Sequence, residues 1–225
     1  MNKAINFAKW FIKNSKGFSN SFEGNMKLNK LLYFSQLISL VKNNEPLFND
    51  DLYAFKNGVV VESVRREYYY NYTQLKKDAE LFEESFTKEE KEILEIGNDI
   101  FGHVDAKELS KLTHEHSCWN DYYNKSKNDN WYIKEESKIP VEDIVMNYQE
   151  DLNLVKEILF AYYENKNSSN TNEIEKFIEI NNVKYFYNPN EIKLDNNLRD
   201  VLANFPAEDN AYSLYIDDNQ GLVIY

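Results

Sequence analysis

The chain has few of the residues that cross-link a fold or cradle a phosphate. Among its 225 residues there is one cysteine, Cys118, so no internal disulfide bond can form. This predicts a protein of a reducing compartment. There are 6 glycines, where average usage would give about 16. Neither G-x-G-x-x-G nor G-x-x-x-x-G-K-[ST] occurs, which argues against nucleotide enzymes of those two kinds.

Long apolar runs are missing as well. No stretch approaches the roughly 18 consecutive apolar residues of a membrane span. The first residues form an apolar run interrupted by Lys9 and Lys13, without the small-residue cleavage site of a signal peptide. We therefore expect a cytoplasmic protein.

Positive charge is scarce relative to negative charge. The chain has 38 Asp and Glu residues against 26 Lys and Arg, a formal net charge of -12. Such a field repels phosphate backbones and disfavours general nucleic-acid binding. It is compatible with an acidic protein that meets basic partners. Hydrophobic residues make up 42% of the chain, enough for a globular core.

Apolar spacing predicts a mostly helical first domain over 1–165. Predicted helices cover about 4–14, 26–41, 63–77, 88–100, 105–112 and 140–163. The second is apolar over most of its surface, which is typical of a central helix. Asn57-Gly58 stands between two β-prone runs, 51–56 and 59–61, and predicts a hairpin.

Composition changes after residue 165. The Asn- and Ser-rich stretch 166–172 reads as a linker. Beyond it, period-two patterns predict two hairpins, at 173–187 and 212–225, with a short helix at 194–205. We expect a small α+β module over 171–225, so that the fold class of the chain is α+β, mostly helical.

One segment concentrates candidate chemistry, because His114, His116 and Cys118 stand at alternate positions. A zinc site is one interpretation, with His103 or an acid as fourth ligand. A Cys–His nucleophile pair of a hydrolase is another. The third is a helix end that turns into a loop, with Trp119 as a buried anchor. We favour the third, since alternate residues rarely converge on one ion and neither an orienting group nor an oxyanion hole is visible.

Two further features have alternative interpretations. The tyrosine run 68–72 is either an exposed partner surface or a set of rings whose alternate members pack on the core. The pair Arg65-Arg66 binds nucleic acid, contacts an acidic partner, or is solvated or paired within the chain, and the acidic composition favours the last of these.

Four short strings occur in a fixed order. They are K-L-N-K-L-L-Y-F at 27–34, P-L-F at 46–48, A-F-K-N-G-V-V at 54–60, and L-S-K-L-T-H-E at 109–115 followed by Trp119. Their order and spacing resemble the Panacea domain family, which includes SocA-like and phage-associated GepA-type proteins. The resemblance covers about 1–165. Two family prolines are replaced, by Val59 after the glycine and by Cys118 before the tryptophan, so loop geometry is expected to differ there.

The resemblance implies a non-enzymatic protein without a cofactor. Family members resemble antitoxins of toxin–antitoxin systems that neutralise a cognate protein toxin by direct contact, and one branch is similar to an adaptor that delivers a toxin to a Clp protease. A metal- or thiol-dependent hydrolase using the His114–Cys118 segment remains the rival from another class. The module at 171–225 lies outside the resemblance and is a candidate toxin-specific contact surface. The family-motif residues are Lys27, Leu28, Lys30, Leu31, Leu32, Tyr33, Gly58, Thr113, His114 and Trp119.

Overall fold

The computed structural model describes residues 2–128, 131–172, 176–217 and 221–225, and at 128 and 167–172 it describes the backbone alone. The chain divides into two compact units, 1–160 and 161–225. The fold is α+β and mostly helical, as the sequence predicts. Within the described ranges, no helix is both long enough and apolar enough to cross a membrane.

The first unit is built from helices around a small sheet. Its elements are α1 (Ala4–Asn14), α2 (Phe22–Asn43), β1 (Leu52–Phe55), β2 (Gly58–Val61), α3 (Glu62–Glu80), α4 (Lys88–Phe101), α5 (Ala106–His114), α6 (Ser117–Lys125), β3 (Lys127–Asn128), β4 (Trp131–Tyr132), a 3₁₀ turn (Lys134–Ser137), β5 (Lys138–Ile139), α7 (Val141–Asn147) and the start of α8 (Gln149–Asn172).

Helix α2 is the centre of this unit, as its apolar pattern predicts. It packs against α1, α3, α4, α5 and β2. It begins four residues before the predicted start because the Ser21 side chain accepts a hydrogen bond from the Gly24 amide and caps the first turn. It ends at Asn44, which adopts a left-handed conformation with φ of 55°.

The sheet of the first unit has the strand order β2-β1-β5. The predicted hairpin β1–β2 is present, with Phe55 opposite Gly58. The turn residues are Lys56 and Asn57, and the positive φ (90°) belongs to Gly58, which follows them. This is the arrangement of a turn closed by a glycine, whereas the Asn-Gly pair suggested that both residues form the turn.

Two neighbouring residues of α2 cover the outer edge of β2. The Lys30 ammonium donates a hydrogen bond to the Val59 carbonyl over 2.8 Å. The Asn29 side-chain oxygen accepts one from the Val61 amide over 2.9 Å. Both polar side chains are buried, so the helix satisfies backbone groups that an edge strand otherwise leaves unpaired.

Two predicted helices are interrupted. Helix α3 contains a kink at Asn71, whose φ and ψ of -129° and 25° are not helical. The single helix expected over 140–163 is two helices, α7 and α8, because Tyr148 leaves the helical conformation. Pro140 caps α7 from the position before its first residue, where its missing N–H costs nothing.

The second unit contains a four-stranded sheet and one helix. Its elements after α8 are β6 (Lys176–Ile180), β7 (Val183–Tyr187), α9 (Asn196–Ala203), β8 (Ala211–Asp217) and β9 (Gly221–Ile224). Asn181 and Asn182 both have positive φ, as a two-residue hairpin turn requires. Strands β7 and β8 pair in parallel across α9, a pairing that the two predicted hairpins did not include. Tyr185, Leu202 and Leu214 form the centre of the module core.

The stretch predicted as a linker, 166–172, has a helical backbone and forms the last part of α8. The Asn- and Ser-rich composition suggested irregular chain there instead. The domain boundaries drawn from composition stay a prediction.

Candidate functional site

The family-motif residues meet around the turn of the β1–β2 hairpin. Gly58 lies against α5, where an added Cβ would be 1.9 Å from Thr113 Oγ1 and 2.8 Å from Lys30 Nζ. The Ser110 hydroxyl donates to the Asn57 carbonyl over 3.0 Å. The family strings at 27–34 in α2 and 109–115, mostly in α5, therefore both contact the hairpin turn, which belongs to the string at 54–60.

Trp119 holds the same turn from its other side. Its indole N–H donates to the Phe55 carbonyl over 2.8 Å. Its ring stacks on His114, with centroids 4.0 Å apart, and on Tyr123 at 5.0 Å. Burial and the nearby Lys30 ammonium lower the pKa of His114, so this imidazole is neutral at pH 7.

Tyr33, His116 and Cys118 form a buried polar cluster. The Tyr33 hydroxyl is hydrogen-bonded to His116 Nδ1 at 2.7 Å and lies 3.4 Å from Cys118 Sγ. Burial raises the pKa of the Tyr33 phenol, and burial together with Asp151 raises the pKa of the Cys118 thiol. Burial lowers the pKa of His116. All three groups are therefore neutral at pH 7, and a neutral buried thiol is a poor nucleophile.

Asp151 closes this cluster from α8. Its carboxylate oxygens accept hydrogen bonds from the Ser117 and Cys118 amides over 2.8 and 2.9 Å. These are amides of the first turn of α6, so Asp151 acts as a helix cap supplied from another helix. The sequence predicted a loop after α5, and the cap explains why a helix begins at Ser117 instead.

The zinc and hydrolase hypotheses gain no support from this geometry. His114 stacks on Trp119, whereas His116 and Cys118 contact the Tyr33 hydroxyl. Across the described ranges, no group of three or more His, Cys, Asp or Glu side chains is placed to hold a metal ion.

A groove with a volume of about 750 Å³ opens beside the hairpin turn. Six aromatic residues and four cations contribute to its wall, together with small polar residues and the apolar Met26 and Val60. The aromatic residues are Phe22, Phe55, Tyr68, Tyr69, Tyr123 and Tyr132, and the cations are Lys30, Lys56, Arg65 and Lys127. A volume of this size falls within the range of ligand-binding clefts.

The tyrosine run divides between the two interpretations. Tyr68 and Tyr72 are buried, and their hydroxyls donate to backbone carbonyls of the loop before α2. Tyr69 and Tyr70 are each 69% exposed, and Tyr69 lines the groove. In the neighbouring pair Arg65-Arg66, the Arg65 side chain forms a salt bridge with Glu62, with the closest atoms 2.5 Å apart.

The remaining motif residues lie in the core or bond to the backbone. Leu28, Leu31 and Leu32 are fully buried in the core, and the Lys27 ammonium donates to the Gly102 carbonyl over 2.7 Å. Pattern reasoning missed the buried polar residues Asn29 and Asp151, whose partners are distant in sequence. It also missed Tyr123 of α6 and Tyr132 of β4, which line the groove, because isolated aromatic residues carry no periodic signal.

Comparison with protein families assigns the region where these contacts converge. Residues 28–120 match the family described as antitoxin SocA-like, Panacea domain. The resemblance noted from the sequence is thereby confirmed over this segment. No curated protein and no solved structure gives a significant match. The Panacea segment contains Lys30, Gly58, Thr113 and Trp119, whereas the groove extends beyond it to Tyr123 and Tyr132.

Proposed function

We propose that this protein is an antitoxin that neutralises a cognate protein toxin in the cytoplasm by direct protein–protein binding, without chemistry of its own. The match of residues 28–120 to an antitoxin family supports the role. The neutral, buried state of Tyr33, His116 and Cys118 supports a non-enzymatic mechanism, since neither an activated thiol nor a charged imidazole is present there.

The observation that carries the proposal is the groove beside the hairpin turn. Aromatic side chains and arginine supply much of the binding energy at protein interfaces. Phe22 and Tyr69 are 68% and 69% exposed at this groove, so much of the surface of both rings is available to a partner. The hairpin turn at this groove accepts hydrogen bonds from the Trp119 indole and the Ser110 hydroxyl, and such contacts favour a groove that is formed before a partner binds.

The test is to clone the reading frames that flank the gene of this chain and to co-express the product of each with it. Co-expression should restore growth that the neighbour alone arrests, and the two proteins should elute together from a sizing column. Failure of both would refute the proposal. The delivery of the toxin to a Clp protease is the alternative mechanism within this function, and a pulse-chase of the toxin separates the two. A toxin that stays at constant level while neutralised indicates occlusion, and a toxin that disappears indicates delivery.

A stoichiometric zinc signal in the purified protein that is lost in His116→Ala would favour the rival enzyme class instead.

A further inference from the structure

The groove differs in charge from the rest of the molecule. The chain carries a net charge of -12, yet among the described residues the groove wall contains four cations and no Asp or Glu. Arg65 is already paired with Glu62, which leaves Lys30, Lys56 and Lys127. Within the described ranges, none of these three lysines forms a salt bridge.

Lys30 is the buried member of this set. It has no exposed surface, and its ammonium makes one hydrogen bond, to the Val59 carbonyl. An ammonium has three donors, so two remain without an acceptor in the described structure. Burial lowers the pKa of Lys30 to about 7, which shows how poorly the charge is compensated. A buried cation of this kind becomes favourable when an anion binds close to it.

Lys56 and Lys127 are the exposed members. Lys56 stands in the hairpin turn, and the Lys127 ammonium lies 4.1 Å from the centre of the Tyr123 ring. A cation over an aromatic face stays available to an anion on its open side. The groove therefore combines apolar ring surface with positive charge at its edge and beneath its wall.

We propose that the groove is the docking site for an extended segment of the toxin that carries aromatic side chains and at least one carboxylate. The exposed Lys56 and Lys127 contact the carboxylate, and the buried charge of Lys30 attracts it. This inference rests on the proposed antitoxin function and names the chemistry of its partner. The overall negative charge of the chain repels acidic proteins in general. An acidic segment is therefore accepted at this groove and disfavoured elsewhere on the surface, which gives selectivity.

The first experiment uses two labelled peptides that differ in charge alone, acetyl-Tyr-Glu-Phe-Asp-Tyr-amide and its neutral counterpart acetyl-Tyr-Gln-Phe-Asn-Tyr-amide. Fluorescence polarisation should show the acidic peptide binding the full chain at least about tenfold more tightly. The double variant Lys56→Glu/Lys127→Glu should abolish that preference. The double variant Lys76→Glu/Lys77→Glu is the matched control, since it changes net charge equally at exposed positions of α3 outside the groove.

Equal binding of the two peptides, no binding of either at millimolar concentration, or a preference that survives the groove variant would overturn the inference. Lys30→Met should also weaken the acidic peptide, and near-ultraviolet circular dichroism establishes that this variant is folded. Because Lys56 and Lys127 are exposed, the groove variant Lys56→Glu/Lys127→Glu tests the inference even if Lys30→Met does not fold.

The second experiment uses the purified toxin and separates this inference from the proposed function. If the toxin binds the wild-type chain and the groove variant equally well, the function stands and the docking site is wrong. If the toxin does not bind the wild-type chain, the function itself is wrong. If the function and the docking site are both correct, we expect one Asp or Glu of the toxin whose replacement weakens binding to the wild-type chain. Replacing that residue should not weaken binding to the Lys56→Glu/Lys127→Glu variant any further.

Discussion

Gly58 faces Thr113 so closely that an added Cβ would lie 1.9 Å from its hydroxyl oxygen. Gly58 also has a φ of 90°, a conformation that side-chain-bearing residues rarely adopt. The contact joins two family strings, one in the hairpin and one in α5. It explains in physical terms why a glycine stands at this point of the turn.

Gly58→Ala should therefore destabilise the fold by about 2–4 kcal/mol, from backbone strain together with overlap. Gly221→Ala is the matched control, because Gly221 has a φ of 76° but no atom of the described residues within 4 Å of an added Cβ. Urea denaturation measures both variants. Equal losses in the two would show that strain alone matters and that the Thr113 contact is soft.

Leu32→Ala should cost about 2–5 kcal/mol of unfolding free energy, since the truncated side chain leaves a cavity in the centre of the first unit. Leu32 is fully buried on α2. Leu81→Ala serves as the control, because Leu81 is 82% exposed. A loss below about 0.5 kcal/mol for Leu32→Ala would contradict the central position of α2.

Lys30 gives the stability of the chain a pH dependence with a defined sign. Its pKa is about 7 in the folded state and 10.5 when unfolded, so the unfolded state binds more protons between these values. Stability should rise with pH across this window, relative to Lys30→Met, by at most about 1.4 kcal/mol per pH unit. Chemical denaturation at pH 6, 7, 8 and 9 checks this, with Lys76→Met as the exposed control. Parallel curves for wild type and Lys30→Met would disprove it.

Asp151→Asn should destabilise the protein by about 1–3 kcal/mol, because one of the two amides at the start of α6 loses its acceptor. The neighbouring Glu150→Gln changes the same charge at an exposed position and should have little effect. Thermal unfolding compares the two. Indistinguishable midpoints would show that water replaces the missing acceptor.

The C-terminal module is expected to contribute to toxin binding through an aromatic sheet face. Phe177 and Tyr215 are 55% and 42% exposed, and strand alternation places them opposite the buried face of the module sheet. Phe177→Ser with Tyr215→Ser should weaken the toxin complex by about tenfold. A chain ending at Asn172 should lose at least as much, and full neutralisation by that shorter chain would refute a role for the module.

Local signals predicted much of the fold. The α1 helix, the α4 helix and the hairpin at 173–187, whose described part includes the turn at Asn181 and Asn182, follow from local residue spacing. The break at Tyr148 did not follow from the spacing. The parallel pairing of β7 with β8 did not either, because it joins segments that are distant in sequence. Pattern reasoning could not supply strand order.

The candidate site was predictable in its members but not in its shape. The family strings identified Lys30, Gly58, Thr113 and Trp119, and the structure brings them together at one turn. The groove beside them depends on side chains such as Tyr132, which a short strand contributes without any repeating pattern. The net charge of the whole chain also gave no indication that the wall of this groove carries positive charge.

The contacts from Asn29 and Lys30 to β2 have a consequence for how other chains can attach. The Val61 amide and the Val59 carbonyl face away from β1 and are already bonded to side chains of a helix. A foreign strand would have to displace these two side chains to pair along this edge, so lengthening of the sheet there is disfavoured. Oligomers that form by pairing of edge strands are therefore disfavoured at this hairpin, and a partner protein has to bind it through side-chain contacts.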